Sequence, residues 1–231
     1  MTGSSLLARY HVPPEEIEAR SIALVERLTP RLPSDAAERE VVVRLVHATG
    51  DPEVAASVRM SPGAVAAGAA ALRAGRPIFV DVGMALAGIS RRLADRLGCR
   101  VSCLLDLPGV AEEARRSGST RAAAAVWLAG PQLSGGVVAI GNAPTALLSL
   151  LDLVDAGRAR PALVVGMPVG FVAAAESKAE LARRAVPFIT IEGTRGGSAV
   201  AAAACNALLR LAVDGWQPQD ARGEGGRSRD R

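Results

Sequence analysis

Short apolar runs rich in β-branched residues alternate with longer Ala- and Leu-rich runs between residues 77 and 213. This alternation is typical of a parallel sheet with helical crossovers, because each strand is buried on both faces and each helix on one. Five runs are predicted to be strands: PIFVDV (77–82), RVSCLL (100–105), VVAIG (137–141), ALVVGM (162–167) and PFITIE (187–192). We therefore predict an α/β fold: a single doubly wound domain with a five-stranded parallel sheet flanked by helices.

The segments around these strands carry apolar residues at helical spacing. They predict helices at residues 85–97, 110–116, 120–128, 145–156, 174–185 and 198–213, preceded by helices at 14–28, 35–47 and 62–72. Asp35 and Glu38 form a capping pair for the helix that we expect to end at His47. The domain is predicted to span residues 1–215, and the polar segment 216–231 is expected to be a disordered tail.

Composition narrows the classes of function. The 231 residues are 49% hydrophobic and 3% aromatic, with a formal net charge of +4. No uncharged run reaches the roughly 20 residues of a membrane span, and no secretory signal is recognised. Three cysteines fit a reducing compartment, so a cytoplasmic protein is expected. Nucleic-acid binding is not predicted because a basic stripe and stacking aromatics are both missing, whereas small anionic ligands are compatible with the charge.

The histidines and cysteines offer few metal ligands. His11 lies before two prolines in a polar leader, where we expect a solvated bystander. Neither CxxC nor HxxxH occurs, so no metal site is predicted. Cys99 and Cys103 lie at or beside a predicted strand and are expected to be buried structural thiols.

The second histidine, His47, closes the helical segment VVVRLVHATG, and Arg44 precedes it by three positions on the same face. The helix C-terminus favours the imidazolium form, whereas the neighbouring guanidinium opposes it. Imidazole is the side chain whose charge changes near neutral pH, which suits proton transfer. A packed or capping histidine is the alternative, and position alone favours it.

Two Gly-rich loops each follow a predicted strand and open a helix. Residues 141–145 (GNAPT) and 193–198 (GTRGGS) offer backbone N–H groups to an anion, and Arg195 adds a guanidinium. Either loop is equally compatible with a tight turn. Neither GxGxxG, GxxxxGK[ST] nor GxSxG occurs, so dinucleotide, nucleotide triphosphate and serine-hydrolase functions are not predicted. DVGM (81–84) is only faintly similar to the strand end of an S-adenosylmethionine site.

Seven segments together resemble the precorrin-8X methylmutase family of corrin-ring biosynthesis, including its cobalt-precorrin-8 members. They are IEARSIALV (17–25), VVRLVHATGD (42–51), IFVDVGMALAGI (78–89), STRAAAA (119–125), VAIGNAPTALLSLL (138–151), GMPVGFVAAAESK (166–178) and GGSAVAAAACNAL (196–208). The motifs GNAPTAL, PVGFVAAAESK and GGSAVAAAA in this order are highly specific to the family.

The resemblance implies an isomerase of cobalamin biosynthesis. Its substrate would be the tetrapyrrole precorrin-8X or cobalt-precorrin-8, in which a [1,5]-sigmatropic shift moves a methyl group from C11 to C12 to give hydrogenobyrinate or cobyrinate. The resemblance also implies a flavodoxin-like fold, a homodimer, and no redox or methyl-donor cofactor.

The resemblance also assigns site residues. His47 matches the family's proton donor and acceptor, and Arg44 and Ser21 match substrate-contacting positions. The expected substrate-binding set further contains Arg121, as a clamp for a peripheral acetate or propionate, with Asn142, Thr145 and Arg195. Asn142 and Thr145 either contact the ring substituents or only shape their loop.

Two alternatives stay open at this point. A tetrapyrrole carrier would use the same cleft without chemistry, and His47 would then be dispensable. An S-adenosylmethionine-dependent methyltransferase would bind its cofactor near Asp81.

Overall fold

The computed structural model of the chain describes residue 5 and residues 13–215, so that His11 and the predicted tail 216–231 lie outside the described residues. Its helices are α1 (Pro14–Leu28), α2 (Ala36–Thr49), α3 (Ala64–Arg73), α4 (Gly83–Gly88), α5 (Arg91–Arg96), α6 (Val110–Ser117), α7 (Arg121–Ala129), α8 (Pro144–Asp155), α9 (Ala174–Ala182) and α10 (Ser198–Val213). Short 3₁₀ segments lie at Pro52–Ser57, Leu104–Asp106 and Gly130–Leu133. None of the helices in this described part combines the length and the apolar character that crossing a membrane requires.

The strands form one sheet with helices on both faces. They are β1 (Val58–Met60), β2 (Ile78–Val80), β3 (Val101–Cys103), β4 (Val137–Ile140), β5 (Leu163–Gly166) and β6 (Phe188–Ile191), in the order β1-β6-β5-β4-β2-β3. The predicted α/β class is confirmed, and each of the five predicted strands contains one of the parallel strands β2 to β6. The predicted total of five strands is wrong, because β1 adds a sixth strand that pairs antiparallel with β6.

Helices cover both faces of the sheet, and successive residues along a strand point into the two opposite cores. In β4, Val137 and Ala139 belong to the core beneath α2, α3 and α10, whereas Val138 and Ile140 belong to the core beneath α7, α8 and α9. All four side chains are fully buried. Burying one large aliphatic side chain contributes about 1.5–3 kcal/mol, so this double burial explains why the strands are continuous apolar runs in the sequence.

The predicted helix 85–97 is wrong, because the structure divides it into α4 and α5. Ile89 has an extended backbone (φ −81°, ψ 131°), and the Ser90 side chain caps α5. Asn206 of α10 stabilises the break: its Nδ2 donates to the Gly88 carbonyl at 2.9 Å, and its Oδ1 accepts from the Ser90 N–H at 2.8 Å. A contact with a distant helix therefore prevails over local helix propensity.

The loop after β4 lies directly against the start of α10. A Cβ atom at Gly141 would lie 2.8 Å from the Cα atom of Ser198, too close for any side chain without displacement of the backbone. Glycine at this position therefore brings the loop between β4 and α8 into contact with α10.

Candidate functional site

A groove between α1, α2 and α10 brings together three of the sequence-predicted site residues. Ser21, Arg44 and His47 line it, and it encloses about 500 Å³. Ser21 is contributed by α1, whereas Arg44 and His47 are contributed by α2, as their spacing of three positions on one helix face requires.

Helix α2 is anchored so that its outer face carries the functional side chains. Asp35 caps its start, because Oδ1 accepts from the Ala37 and Glu38 N–H groups at 3.0 and 2.9 Å. Val41 and Leu45 are fully buried on the opposite face. The helix runs two residues past the expected end at His47 and stops at Gly50, whose φ is 65°.

The His47 side chain is exposed in the last turn of α2. Within residues 13–215 its imidazole makes no hydrogen bond or ion pair, so both ring nitrogens are accessible to a molecule in the groove. This exposure contradicts the alternative of a packed histidine, and the backbone N–H of Gly50, not the imidazole, caps the helix end by donating to the Val46 carbonyl.

Arg44 is held between two carboxylates. Its Nε lies 2.7 Å from Glu40 Oε1, and its Nη1 lies 2.5 Å from Glu18 Oε1. Burial lowers the pKa of Arg44, but the hydrogen bonds to Glu40 and Glu18 outweigh it, so the pKa is raised overall. The same hydrogen bond from Arg44 lowers the pKa of Glu18 against the opposing effect of burial, with the charges of Arg210 and His47 adding to it. Both groups are therefore charged at neutral pH.

Two polar residues of α10 line the groove but are not among the sequence-predicted site residues. Arg210 lies 3.1 Å from the Glu18 carboxylate, measured from Nη2 to Oε1, and Asn206 lies one turn earlier on the same face. Asn206 is committed to the backbone between α4 and α5. Arg210 is the sole charged residue in the helical sequence SAVAAAACNALLRLAV, which is the signal that could have identified it.

Arg121 and Thr145 do not line the groove that contains His47. Arg121 is exposed at the start of α7, and Thr145 lies in the first turn of α8. The Thr145 hydroxyl is 2.7 Å from the hydroxyl of Thr120, and it lines a second cavity of about 430 Å³ with Trp127. The apolar faces of α7 and α8 pack into the core on the other side of the sheet.

Asn142 lies in a loop whose anion-binding groups are already occupied by the protein itself. Asp81, which is 1% exposed and follows β2, accepts N–H groups from Gly141 at 3.1 Å, Asn142 at 2.8 Å and Ala143 at 2.9 Å. The expectation that these N–H groups would hold a ligand anion is therefore wrong. Because its carboxylate is bonded to this loop, Asp81 is not available to bind a cofactor, as the methyltransferase alternative requires.

Arg195 lies in a separate cavity of about 570 Å³ between the end of α1 and the 3₁₀ segment Pro52–Ser57. Its Nη1 is 3.1 Å from Asp51 Oδ2, four residues beyond His47. The loop that carries Arg195 is held by Lys178, which is 1% exposed and donates from Nζ to the Arg195 carbonyl at 2.5 Å. Arg195 therefore ties the loop after β6 to the segment that follows α2.

The cysteines are buried and unpaired, as predicted for the first two. Burial raises the pKa of Cys99 and Cys103, and it raises the pKa of Cys205 to about 12. These thiols are protonated and unreactive at neutral pH. Among the described residues no group of three or more His, Cys, Asp or Glu side chains is arranged to hold a metal ion.

Sequence and structure comparisons identify the family. The family model described as precorrin-8X methylmutase matches residues 16–211. A cobalt-precorrin-8 methylmutase from Priestia megaterium is 42% identical over 205 residues, which cover 88% of this chain and 91% of the relative. A precorrin-8X methylmutase from Pseudomonas aeruginosa is 49% identical over 171 residues, which cover 73% of this chain and 82% of the relative.

A solved structure agrees with these relatives. The fold superposes on the crystal structure of a precorrin-8X methyl mutase from Thermus thermophilus with a TM-score of 0.80 and 42% identity, covering 87% of this chain and 98% of that one. Because the family model matches most of the chain and these relatives are at least 42% identical over most of their length, the chain belongs to the precorrin-8X methylmutase family.

Proposed function

We propose that this chain is an isomerase that moves a methyl group from C11 to C12 of precorrin-8X or cobalt-precorrin-8, with His47 as the proton donor and acceptor. The observation that carries the proposal is the placement of His47, Arg44 and Ser21 around one groove. The relatives named above include proteins named for each of the two substrates, which supports both as candidates.

The chemistry requires little from the protein beyond binding and one proton. The migrating methyl group stays within the same molecule, so substrate and product have the same atoms and no external methyl donor takes part. A proton from His47 to a ring nitrogen withdraws electron density from the migrating centre, and the ring returns this proton once the methyl group has moved. The exposed imidazole makes no hydrogen bond with any residue of the described range 13–215, which suits this cycle.

The groove offers complementary surfaces for the rest of the macrocycle. Ile17, Ala48 and Ala203 give it apolar walls for the faces of the ring, and Arg44 supplies positive charge for a peripheral carboxylate. Ser21 adds a hydroxyl for a polar substituent.

A homodimer is part of this proposal because the remaining assigned residues lie away from His47. Arg121 begins α7, which packs on the other side of the sheet, and it does not line the groove, so we propose that it contacts the substrate bound by a second copy, as a two-fold interface permits. Apolar side chains after the carboxyl ends of β2 and β5 offer surface for such contact: Met84 is 75% exposed, Phe171 93% and Val172 84%.

Three further expectations belong to this proposal and are supported by the structure without being tested by it. The parallel strands follow the order β3-β2-β4-β5-β6, which supports the flavodoxin-like description. Residues 13–215 pack around a single sheet, which supports one domain over most of the predicted range 1–215. Free thiols at Cys99, Cys103 and Cys205 support the cytoplasm as the location.

The proposed function is tested by absorption spectroscopy of the purified protein mixed with precorrin-8X and, separately, with cobalt-precorrin-8. We expect the product chromophore to appear with at least one of them, whereas heat-denatured protein leaves both spectra unchanged. Tight binding of both compounds without any product would contradict the proposal and identify a carrier instead.

A further inference from the structure

A carboxylate of the protein already lies between two arginines in the groove beside His47. Glu18 Oε1 is 2.5 Å from Arg44 Nη1 and 3.1 Å from Arg210 Nη2. This carboxylate therefore defines a position at which guanidinium groups from α2 and α10 converge on a single anionic oxygen.

Within the ion-pair network of Arg44 and Arg210, the charges are balanced as long as Glu18 stays in place. Arg44 and Arg210 carry two positive charges, and Glu18 and Glu40 carry two negative charges, with His47 beside them. A substrate with several acetate and propionate groups meets no net attraction from this balanced network, and Glu18 repels it directly. Removal of the Glu18 carboxylate would leave both guanidinium groups with unused donors.

The two glutamates differ in how firmly they are held. Glu40 lies on α2, four residues before Arg44, and its side chain is 28% exposed. Glu18 lies on α1, its side chain is 53% exposed, and none of the described side chains of α1 is buried. Glu18 is thus the group that a competing carboxylate can displace without disturbing the core.

We propose that Arg44 and Arg210 form a clamp for one peripheral carboxylate of the substrate, and that Glu18 holds this position until the substrate carboxylate displaces it. The inference rests on the proposed function. Arg210 is then a substrate-binding residue, and Glu18 weakens binding by competing for the clamp. A merely structural role would instead make Glu18 and Arg210 two halves of a tether for α1.

The two roles predict different results for one pair of variants: the clamp predicts that Glu18→Gln and Arg210→Gln shift the dissociation constant in opposite directions, and the tether predicts shifts in the same direction or none. The dissociation constant of precorrin-8X is measured by absorption titration in a His47→Ala background, where binding is separated from conversion. Under the clamp, Arg210→Gln raises the dissociation constant about tenfold and Glu18→Gln lowers it about tenfold, each equivalent to about 1.4 kcal/mol. Arg210→Lys keeps the charge and recovers part of the loss.

Glu16→Gln is the matched control. Glu16 lies on the same helix and forms an equally short ion pair with Arg20, 2.5 Å long, but does not line the groove. We expect it to leave the dissociation constant unchanged, and thermal unfolding of each variant verifies that it is folded.

Opposite shifts for Glu18→Gln and Arg210→Gln support the clamp. Shifts in the same direction, or a dissociation constant equal to that of the Glu16→Gln control in both variants, overturn it in favour of a tether. Conversion of substrate by the wild-type protein is measured alongside, so that a failed clamp with intact turnover is distinguished from failure of the proposed function itself.

Discussion

Replacing Asp81 with asparagine tests how strongly this carboxylate holds the loop between β4 and α8. The Asp81 carboxylate accepts three backbone N–H groups at the start of α8, from Gly141, Asn142 and Ala143. An asparagine side chain presents one acceptor oxygen and one NH₂ group, so at least one of the three N–H donors would face another donor. The negative charge beside the positive end of α8 would also be lost.

The magnitude follows from the number of bonds and their burial. A hydrogen bond to a charged group contributes about 1.5–3 kcal/mol, and a buried donor left unpaired costs about 1–3 kcal/mol. We therefore expect Asp81→Asn to lower the free energy of unfolding by about 3–4 kcal/mol. For a domain of this size each kcal/mol corresponds to about 2–4 °C, so the melting temperature falls by about 10 °C.

The assay is urea denaturation followed by circular dichroism, with Asp106→Asn as the matched control. Asp106 also follows a strand, β3, but its side chain is exposed, so its replacement leaves the free energy of unfolding within about 0.5 kcal/mol of wild type. A loss below about 1 kcal/mol for Asp81→Asn would refute the view that this carboxylate fills the anion-binding position of the loop.

Three further predictions concern the dimer, Lys178 and Gly141. If each site uses both copies, mixing inactive His47→Ala and Arg121→Ala subunits restores about a quarter of wild-type turnover, because half of the random dimers are mixed and each mixed dimer has one intact site out of two. No recovery of turnover would contradict the shared site. Burial lowers the pKa of Lys178 from 10.5 to about 8, so the unfolded state binds more protons than the folded state between these pH values. The free energy of unfolding of wild type, measured relative to Lys178→Met, therefore rises with pH in this range. A difference between the two proteins that does not change with pH would contradict this prediction. Gly141→Ala costs about 1–3 kcal/mol in thermal unfolding, whereas Gly83→Ala, whose added Cβ meets no atom within 4 Å, is the neutral control.

The fold was predictable where one segment contains all the determining residues. The parallel strands β4, β5 and β6 are apolar runs because both of their faces are buried, which a single window of sequence displays. In β1 the exposed Arg59 lies between two half-buried residues, so this segment is not an apolar run in the sequence, and its pairing with β6 depends on the far end of the domain. The break at Ile89 depends on Asn206, 116 residues away from Ser90, so local spacing alone predicts a continuous helix.

The same distinction separates the predicted from the unpredicted parts of the site. Arg44 and His47 share one helix face, and their proximity follows from spacing, whereas Ser21 was assigned through the family resemblance. Glu18 and Arg210 converge on Arg44 only through the packing of α1 and α10. Asp81 reaches the N–H group of Gly141 from 60 positions away, which is why its loop has the features of an open anion site in the sequence.

The central claim is that His47 transfers a proton to a ring bound in the groove of α1, α2 and α10. It is tested most directly by measuring precorrin-8X binding and conversion side by side in wild type, His47→Ala and the control Arg39→Gln. Arg39 lies on α2, donates to the Pro33 carbonyl and does not line the groove. We predict that His47→Ala binds the substrate within about threefold of wild type but converts it about 10²–10⁴ times more slowly, while Arg39→Gln matches wild type in both. Conversion by His47→Ala at the wild-type rate would contradict the claim.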